Sequence, residues 1–444
     1  MNKKLKLWPL VAATYFMVSG GPYGLEDLLQ NAGYRSAIFL LLLVPLLWSL
    51  PTALMVGELS SAIPEDGGYY IWVKRALGPF WGFQEAWLSL AASIFDMAAY
   101  PLLFVLYLER VWPRLQGGGG MAVGAAVIAA CALWNIRGAP AVGNASLAIG
   151  AALLAPFAVM SVAALLKPAA AAPAPLHHPA LVAGIMVCMW NYMGWDGAST
   201  VAGEVDRPQR TYPLAMILAV LLVTVSYLVP VAAVARSGMD PSQWSTGAWV
   251  DAGGALGGRW LALSLVVGGM LCGLGMTNAL VLSYSRVPLA LAEDGYLPAV
   301  LAKKHPRNQA PWVAIVVLSV AWSLALGLGF ERLVELDVLL TGASLVLEFA
   351  ALVALRVREP RLPRPFRIPG GLPAAWLLGV GPTALLLLAL WRTLADNGFT
   401  RNLALGLGLT ALGPLLYWAA RWFRRAPAES ETPEVTPPKA KAGQ

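Results

Sequence analysis

Charged residues are scarce in this chain of 444 residues, since Lys, Arg, Asp and Glu together make up only 12% of it. Soluble domains carry about 25%. Cysteine and histidine are rare too, at three residues each, so a disulfide scaffold is excluded and an intramembrane histidine metal site is not expected. The chain has no P-loop Gly-Lys-Ser/Thr and no Gly-x-Ser-x-Gly nucleophile elbow. We therefore predict that it is not an enzyme and that it binds no cofactor and no metal.

Long apolar runs take the place of charge. Apolar residues make up 58% of the chain and the mean hydropathy is +0.65. A helix that crosses a bilayer needs about 20 apolar residues, because its backbone must be satisfied internally. Twelve stretches meet this requirement: residues 8–31, 35–58, 81–108, 120–136, 140–166, 180–203, 212–235, 258–286, 311–330, 333–356, 372–392 and 402–422. The pattern predicts an all-α integral membrane protein with 12 transmembrane helices.

The distribution of basic residues predicts an orientation. With an inside N-terminus, 22 of the 31 Lys and Arg residues fall on the inner side and 9 on the outer side. This bias predicts a multi-pass protein of the cell (inner or plasma) membrane with both termini cytoplasmic. No basic stripe interleaves with aromatic residues, so no nucleic-acid partner is expected. Residues 426–444 are polar and rich in proline, which predicts a disordered cytoplasmic tail.

Two of the twelve spans are interrupted in the middle. The first contains Ser19, Gly20, Gly21, Pro22, Tyr23 and Gly24, and the sixth contains Asn191, Tyr192, Met193, Gly194, Trp195 and Asp196. Glycine and proline make a regular helix costly, and a break at membrane depth persists only where it lines a cavity or is buried in protein. Breaks at matching places of two halves indicate inverted repeats of five helices each, here about 8–166 and 180–356, followed by two extra helices at about 372–422. Two ordinary helix kinks are the alternative.

These residues also carry a resemblance to a known family. Motifs that lie in order between about residues 8 and 370 are Ser-Gly-Gly-Pro-Tyr-Gly at 19–24, Pro-Glu-Asp-Gly-Gly-Tyr at 64–69, Asp-Met-Ala-Ala-Tyr-Pro at 96–101, Gly-Glu-Val-Asp-Arg-Pro at 203–208 and Ala-Glu-Asp-Gly-Tyr-Leu-Pro at 292–298. The chain resembles the amino acid–polyamine–organocation (APC) transporters, and within them the polyamine and amino-acid branch. The resemblance implies a LeuT-like fold in a single domain, 1–425, and alternating access. It also implies that the first break holds a substrate carboxylate and the second its amine.

Acidic residues reach the middle of the predicted spans, whereas Lys and Arg lie only at span ends or outside the spans. Asp96, Asp196 and Glu348 lie mid-span, and Glu85 lies near an inner end. A buried carboxylate without a basic partner must be protonated or must pair with an imported cation. We therefore predict that both breaks, Asp96 and Tyr100 bind the substrate. Further candidates for proton or gate residues are Glu26, Glu58 and Glu204. For Glu348, a neutral carboxyl that donates one hydrogen bond between helices is an equal alternative.

The predicted function is that of a secondary transporter of amino acids or polyamines that favours cationic substrates. Two questions stay open from the sequence, the coupling ion and the mode of action. Proton coupling through Asp96 or another acid is one hypothesis, and sodium held by Thr277 and Ser283 is another. An amino-acid exchanger and a non-transporting sensor on the same scaffold are the alternatives to a simple permease. No obligatory protein partner is expected, and the bilayer is the only other partner.

Overall fold

The computed structural model describes residues 4–115, 118–168, 180–327, 330–397 and 400–423. Within these residues the chain forms α-helices joined by short turns, and its extended contacts are the isolated bridges Leu5–Val205 and Asp66–Val201. The helices are α1 Leu7–Val18, α2 Glu26–Val44, α3 Leu50–Ala62, α4 Tyr69–Leu77, α5 Pro79–Glu109, α6 Gly118–Asn135, α7 Ala139–Leu166, α8 Leu181–Asn191, α9 Pro208–Ala235, α10 Ala248–Gly257, α11 Arg259–Tyr284, α12 Arg286–Glu293, α13 Trp312–Ala325, α14 Phe330–Arg358, α15 Gly371–Asn397 and α16 Arg401–Phe423. The predicted tail, 426–444, lies outside the described residues.

The prediction of an all-helical membrane protein is confirmed at this level. In the described part of the chain, nine helical segments are long and apolar enough to cross a membrane. Many large apolar side chains point outward from them, such as Leu324 at 82% exposure and Trp422 at 87%. Such a surface would be unfavourable in water and fits contact with lipid.

The first two predicted spans are divided differently from the expectation of 8–31 and 35–58. α1 stops at Val18, and α2 begins at Glu26 after the break. Gly33 within α2 has a φ of 68°, a left-handed conformation that glycine adopts without strain, and the chain turns there. A π-helical segment at Pro45–Ser49 then joins α2 to α3 without a break, so the second span continues to Ala62.

Two further spans are shorter than the predicted stretches 180–203 and 311–330. α8 ends at Asn191 and is followed by the 3₁₀ turns Asp196–Thr200 and Ala202–Glu204 rather than by α-helix. α13 ends at Ala325, and Phe330, the last residue of the predicted stretch, begins α14. Apolar runs give only approximate helix ends, because glycine and local capping decide where the helical ladder stops.

The centre of the molecule is built on α5 and α11, which pack against each other, with α14 against α5 and α1 and α7 beside α11. Glycines make these approaches close. A Cβ at Gly273 would lie 2.6 Å from the backbone oxygen of Tyr100, and one at Gly269 would lie 2.3 Å from the Tyr107 ring. Small residues let membrane helices pack tightly, so the glycines of α11 hold α5 in place at the centre.

Candidate functional site

The first break is held open by side chains rather than by a helical ladder. The Ser19 hydroxyl accepts a hydrogen bond from the backbone N–H of Gly21 at 3.0 Å. Gly21 and Gly24 have φ values of 78° and 91°, which favour glycine. The indole of Trp249 in α10 donates to the carbonyl of Pro22 at 2.9 Å. These contacts fix an irregular backbone where the sequence predicts it.

The second break lies directly against the first. The Asn191 side-chain amide donates to the carbonyl oxygen of Gly24 at 3.2 Å. Gly194, at φ 91°, approaches α1 so closely that a Cβ would lie 2.3 Å from the backbone oxygen of Met17. The Asn191 carbonyl accepts the Tyr227 hydroxyl at 2.7 Å. The two breaks therefore form one structural unit at the centre of the helices.

Several predicted site residues have side chains that are tied to the scaffold. The Tyr23 hydroxyl donates to the Leu265 carbonyl at 2.7 Å, and the Tyr192 hydroxyl donates to the Leu41 carbonyl at 3.1 Å. Trp195 is fully buried and donates to the carbonyl of Tyr192 at 2.8 Å. Met193 is also buried. At these positions the side chains are bonded within the protein, so a ligand would meet the backbone instead. The role of these residues in binding stays a prediction.

A different aromatic pair lies beside Asp96. The ring of Tyr100 stacks on Trp190, with centroids 6.1 Å apart and planes at 13°. The sequence singled out Trp195, which borders the break, whereas the stacked indole belongs to Trp190 in the last turn of α8. Aromatic faces attract cations, so this pair, rather than Trp195, is the better placed for cation–π contact.

Five carboxyl groups in the interior, four buried and one half-buried, form a connected set of electrostatic neighbours, and we call them the acid column. Its members are Asp96 and Glu85 on α5, Asp337 and Glu348 on α14, and Asp196 at the second break. Within the described residues, no basic side chain forms an ion pair with any of them. The acid column therefore contains only acidic groups, and these must be neutralised by protons or by a cation that enters from outside.

Several carboxylate oxygens of the acid column accept no hydrogen bond from the described residues. Asp96 accepts the Tyr284 hydroxyl at 3.0 Å through one oxygen, and its other oxygen has no hydrogen-bond partner. Glu85 accepts the Ser344 hydroxyl, and its second oxygen is likewise unpartnered. Both oxygens of Glu348, which is fully buried, lack a partner. Leaving buried polar oxygens unpaired is costly, and a bound cation would remove that cost.

Asp337 and Tyr284 were not among the predicted site residues. Asp337 lies near the outer end of the predicted span 333–356, where a carboxylate is usually solvated, and its oxygen accepts the Thr341 hydroxyl at 3.1 Å. A spacing signal was nevertheless present. Asp337 precedes Glu348 by 11 residues, which is three helical turns and the same face of α14.

Glu26 follows the first break as the first residue of α2. Its carboxylate accepts the backbone N–H of Gly24 at 2.7 Å, the Tyr107 hydroxyl at 3.0 Å and the backbone N–H of Gly247 at 3.1 Å. The carboxylate thus joins three separate segments: the first break, α5 and the turn before α10. All three donors are uncharged, so one proton on Glu26 would weaken these contacts.

The other two candidate gate residues have arginine partners. Glu58 is fully buried and pairs with Arg356 at 2.5 Å and with Arg364 at 3.4 Å. Glu204 pairs at 2.8 Å with Arg286, which is fully buried. The sequence names both acids as candidate proton or gate residues and assigns neither an arginine partner, and that role stays a prediction. The arginines come from helix ends distant in sequence, which no local pattern reveals.

The loop before α4 contacts the 3₁₀ turns that follow the second break. The Asp66 carboxylate accepts the backbone N–H of Gly203 at 3.0 Å, and Asp66 bridges to Val201. Burial and the charge of Glu204 raise the pKa of Asp66 to about 6. Nearby, Lys74 pairs with Asp294 at 2.5 Å. These elements are therefore joined by polar contacts that a change in the charge of Asp66 or Asp294 would alter.

The hydroxyls considered for sodium have protein partners. Ser283 donates to the Gly197 carbonyl at 2.9 Å, and Thr277 donates to the Gly273 carbonyl at 2.7 Å. Thr200 donates to the same Gly197 carbonyl at 2.9 Å. The Ser283 bond joins the segment after the second break to α11, whereas the bonds of Thr277 and Thr200 stay within their own segments, and all three give the hydroxyls a packing role.

A multi-pass helical protein whose two broken helices meet beside buried, unpaired carboxylates is built as a membrane transporter. The comparisons with known proteins agree with this class. A model of the amino acid permease family matches residues 10–404, so the chain belongs to that family, which is part of the APC superfamily. It is a transporter and not an enzyme.

The relatives of the chain are transporters as well. It is 34% identical over 437 residues to the polyamine transporter PUT1 of Oryza sativa subsp. japonica, which covers 98% of this chain and 82% of that protein. It is 36% identical over 391 residues to the polyamine transporter RMV1 of Arabidopsis thaliana, covering 86% and 79%. An uncharacterized transporter of Mycobacterium tuberculosis is 30% identical over 312 residues, covering 68% and 69%.

Proposed function

We propose that this chain is a secondary transporter that moves cationic amino acids or polyamines across the cell membrane by alternating access. The observation that carries the proposal is the acid column, whose carboxylates have no basic partners among the described residues. An imported ammonium group would replace the missing partner. The polyamine transporters among the relatives support the same substrate class.

The proposal includes a fold of twelve spans in two inverted repeats of five, with two extra helices. Support comes from nine long apolar segments together with the shorter α1, α8 and α13. The interruptions in the first and sixth spans pair with each other, as the inverted-repeat arrangement requires. The excess of inner basic residues supports cytoplasmic termini.

In the proposed binding mode the first break provides backbone N–H groups for a substrate carboxylate, where one is present. The second break and Asp96 receive an ammonium group, and the ring pair Tyr100–Trp190 covers it. The unpartnered oxygen of Asp96 supports this placement. We propose the proton as the coupling ion, because an acid column that is empty of substrate must hold protons to avoid like-charge repulsion. Substrate uptake that ignores an imposed pH gradient would count against this coupling.

The experiment is uptake of a labelled polyamine and of labelled arginine into proteoliposomes by wild-type protein and by Asp96→Asn. Loss of a charge-assisted contact lowers affinity by about 10- to 100-fold. Asp251→Asn, which removes a carboxylate from an exposed outer pair with Arg110, is the matched control and should transport as wild type does. Unchanged affinity in Asp96→Asn would remove Asp96 from the site.

A further inference from the structure

The acid column has an internal regularity that the binding of a single ammonium group does not need. On α5, Glu85 and Asp96 are 11 residues apart, and on α14, Asp337 and Glu348 are also 11 residues apart. The two helices pack against each other. Eleven residues are three helical turns, so each helix presents its two acids on one face, about 16 Å apart.

The acids of the two helices are matched across the contact. Asp96 lies within electrostatic range of Asp337, and Glu85 lies within range of Glu348. Between the two pairs the hydroxyls of Ser89 and Ser344 are 3.3 Å apart. Ser89 follows Glu85 by four residues, and Ser344 precedes Glu348 by four, so the helices run antiparallel in a fixed register.

The Glu85–Glu348 pair is the inner of the two, since it is nearer the start of α5 at Pro79 and the end of α14 at Arg358. Both glutamates are fully buried. Three of their four carboxylate oxygens have no hydrogen-bond partner within the described residues. Two acids this close cannot both be charged without a cation, and the serines and tyrosines around them supply none.

Asp196 connects the two pairs. It lies within electrostatic range of Asp96 and Asp337 and also of Glu85 and Glu348. It is the first residue of the 3₁₀ turn that follows the second break. A cation that reached from one pair to the other would pass beside this third acid.

We propose that Glu85 and Glu348 form a second ammonium subsite, so that the column binds an elongated polyamine with one terminal amine at Asp96–Asp337 and the other at Glu85–Glu348. The chemistry matches because a polyamine alternates charged nitrogens with short methylene runs. A four-carbon diamine is too short to span about 16 Å, whereas an extended tetraamine has this length. A proton alone would need no second pair at a fixed distance.

This inference rests on the proposed function, and one titration separates the two. Purified full-length protein is titrated with spermine and with putrescine at fixed pH and salt, and the dissociation constants are obtained from the ligand-induced rise in melting temperature. We expect spermine to bind about 10- to 100-fold more tightly than putrescine, since it makes an additional charge-assisted contact. If neither amine binds, the proposed function fails. If both bind with equal affinity, only the second subsite fails.

Variants then locate the effect. Glu348→Gln and Glu85→Gln should each remove most of the spermine preference, because they should weaken spermine binding by about 10-fold more than putrescine binding. Asp251→Asn, at the exposed outer surface, should retain the full preference. An equal loss for both amines in the glutamine variants would overturn the proposal and indicate a proton site. If a glutamine variant does not fold, two measurements still test the second subsite. One is the comparison of spermine with putrescine in the wild-type protein. The other is Glu348→Asp, which keeps the carboxylate and should therefore keep a spermine preference.

Discussion

Replacing Gly194 by alanine tests whether the second break must lie against the end of α1. Gly194 has a φ of 91°, and a Cβ at this position would lie 2.3 Å from the backbone oxygen of Met17. Favourable contacts between heavy atoms begin near 3.5 Å, so the break would have to move by about 1 Å. The obstacle is backbone on both sides, and no side-chain rotation relieves it.

The magnitude follows from two costs. A non-glycine residue in a left-handed conformation costs about 1–2 kcal/mol. Overpacking a tightly packed interior costs about 1–3 kcal/mol. We therefore expect Gly194→Ala to destabilise the folded protein by about 2–5 kcal/mol, or to shift the two breaks apart and weaken substrate binding at the same site.

The assay is thermal denaturation of the purified protein in detergent, followed by uptake in proteoliposomes. Gly408→Ala is the matched control, because nothing lies within 4 Å of a Cβ at that helical position. Alanine favours helix there, so the control should be as stable as wild type or slightly more stable. If Gly194→Ala melts and transports as the control does, the two breaks are not in contact as described.

Three further changes give expected outcomes. Glu58→Gln should destabilise the protein by about 3–5 kcal/mol, because it leaves the buried charge of Arg356 unpaired. Glu359→Gln, which breaks an exposed pair with Arg75, should cost at most about 1 kcal/mol. Chemical denaturation measures both free energies of unfolding. Gly20→Ala should destabilise because its Cβ would lie 2.1 Å from the Cys272 sulfur, and adding Cys272→Ala should restore part of the loss. Because the pKa of Asp66 is raised to about 6, its contribution to stability should fall as pH rises from about 4 to 6, and Asp66→Asn should lose less stability over that range.

Each of these has a contradicting result. Equal costs for Glu58→Gln and Glu359→Gln would mean that the buried pair is open to solvent. A double variant no more stable than Gly20→Ala would place Cys272 away from the break. Parallel pH profiles for wild type and Asp66→Asn would show that the carboxyl is not desolvated in the folded protein.

The helical breaks were predictable because their cause is local. Glycine and proline at residues 20–24 and glycine at 194 interrupt a helix wherever they stand, and the structure ends α1 at Val18 and α8 at Asn191. The all-helical membrane class followed from composition for the same reason. The 3₁₀ form after the second break was not predictable, because it depends on contacts with α11 such as the one from Ser283 to Gly197.

The partners of the acids were beyond the sequence. Glu58 and Arg356 are 298 residues apart, and no local pattern joins them. Asp337 was not predicted, because a carboxylate near the end of a span is usually exposed to solvent. In the structure Asp337 is only 6% exposed. Only the packing of α5 against α14 shows that it faces Asp96.

The most direct test of the central claim is a thermal-shift screen of the purified wild-type protein against polyamines, cationic amino acids and neutral amino acids at one pH and salt concentration. A ligand that binds the folded state raises the melting temperature in proportion to the logarithm of its concentration once the site is saturated. The buried acid column predicts that polyamines and cationic amino acids stabilise the protein and that neutral amino acids stabilise it less. Stabilisation by neutral amino acids alone would contradict the assignment of the column as a cation site.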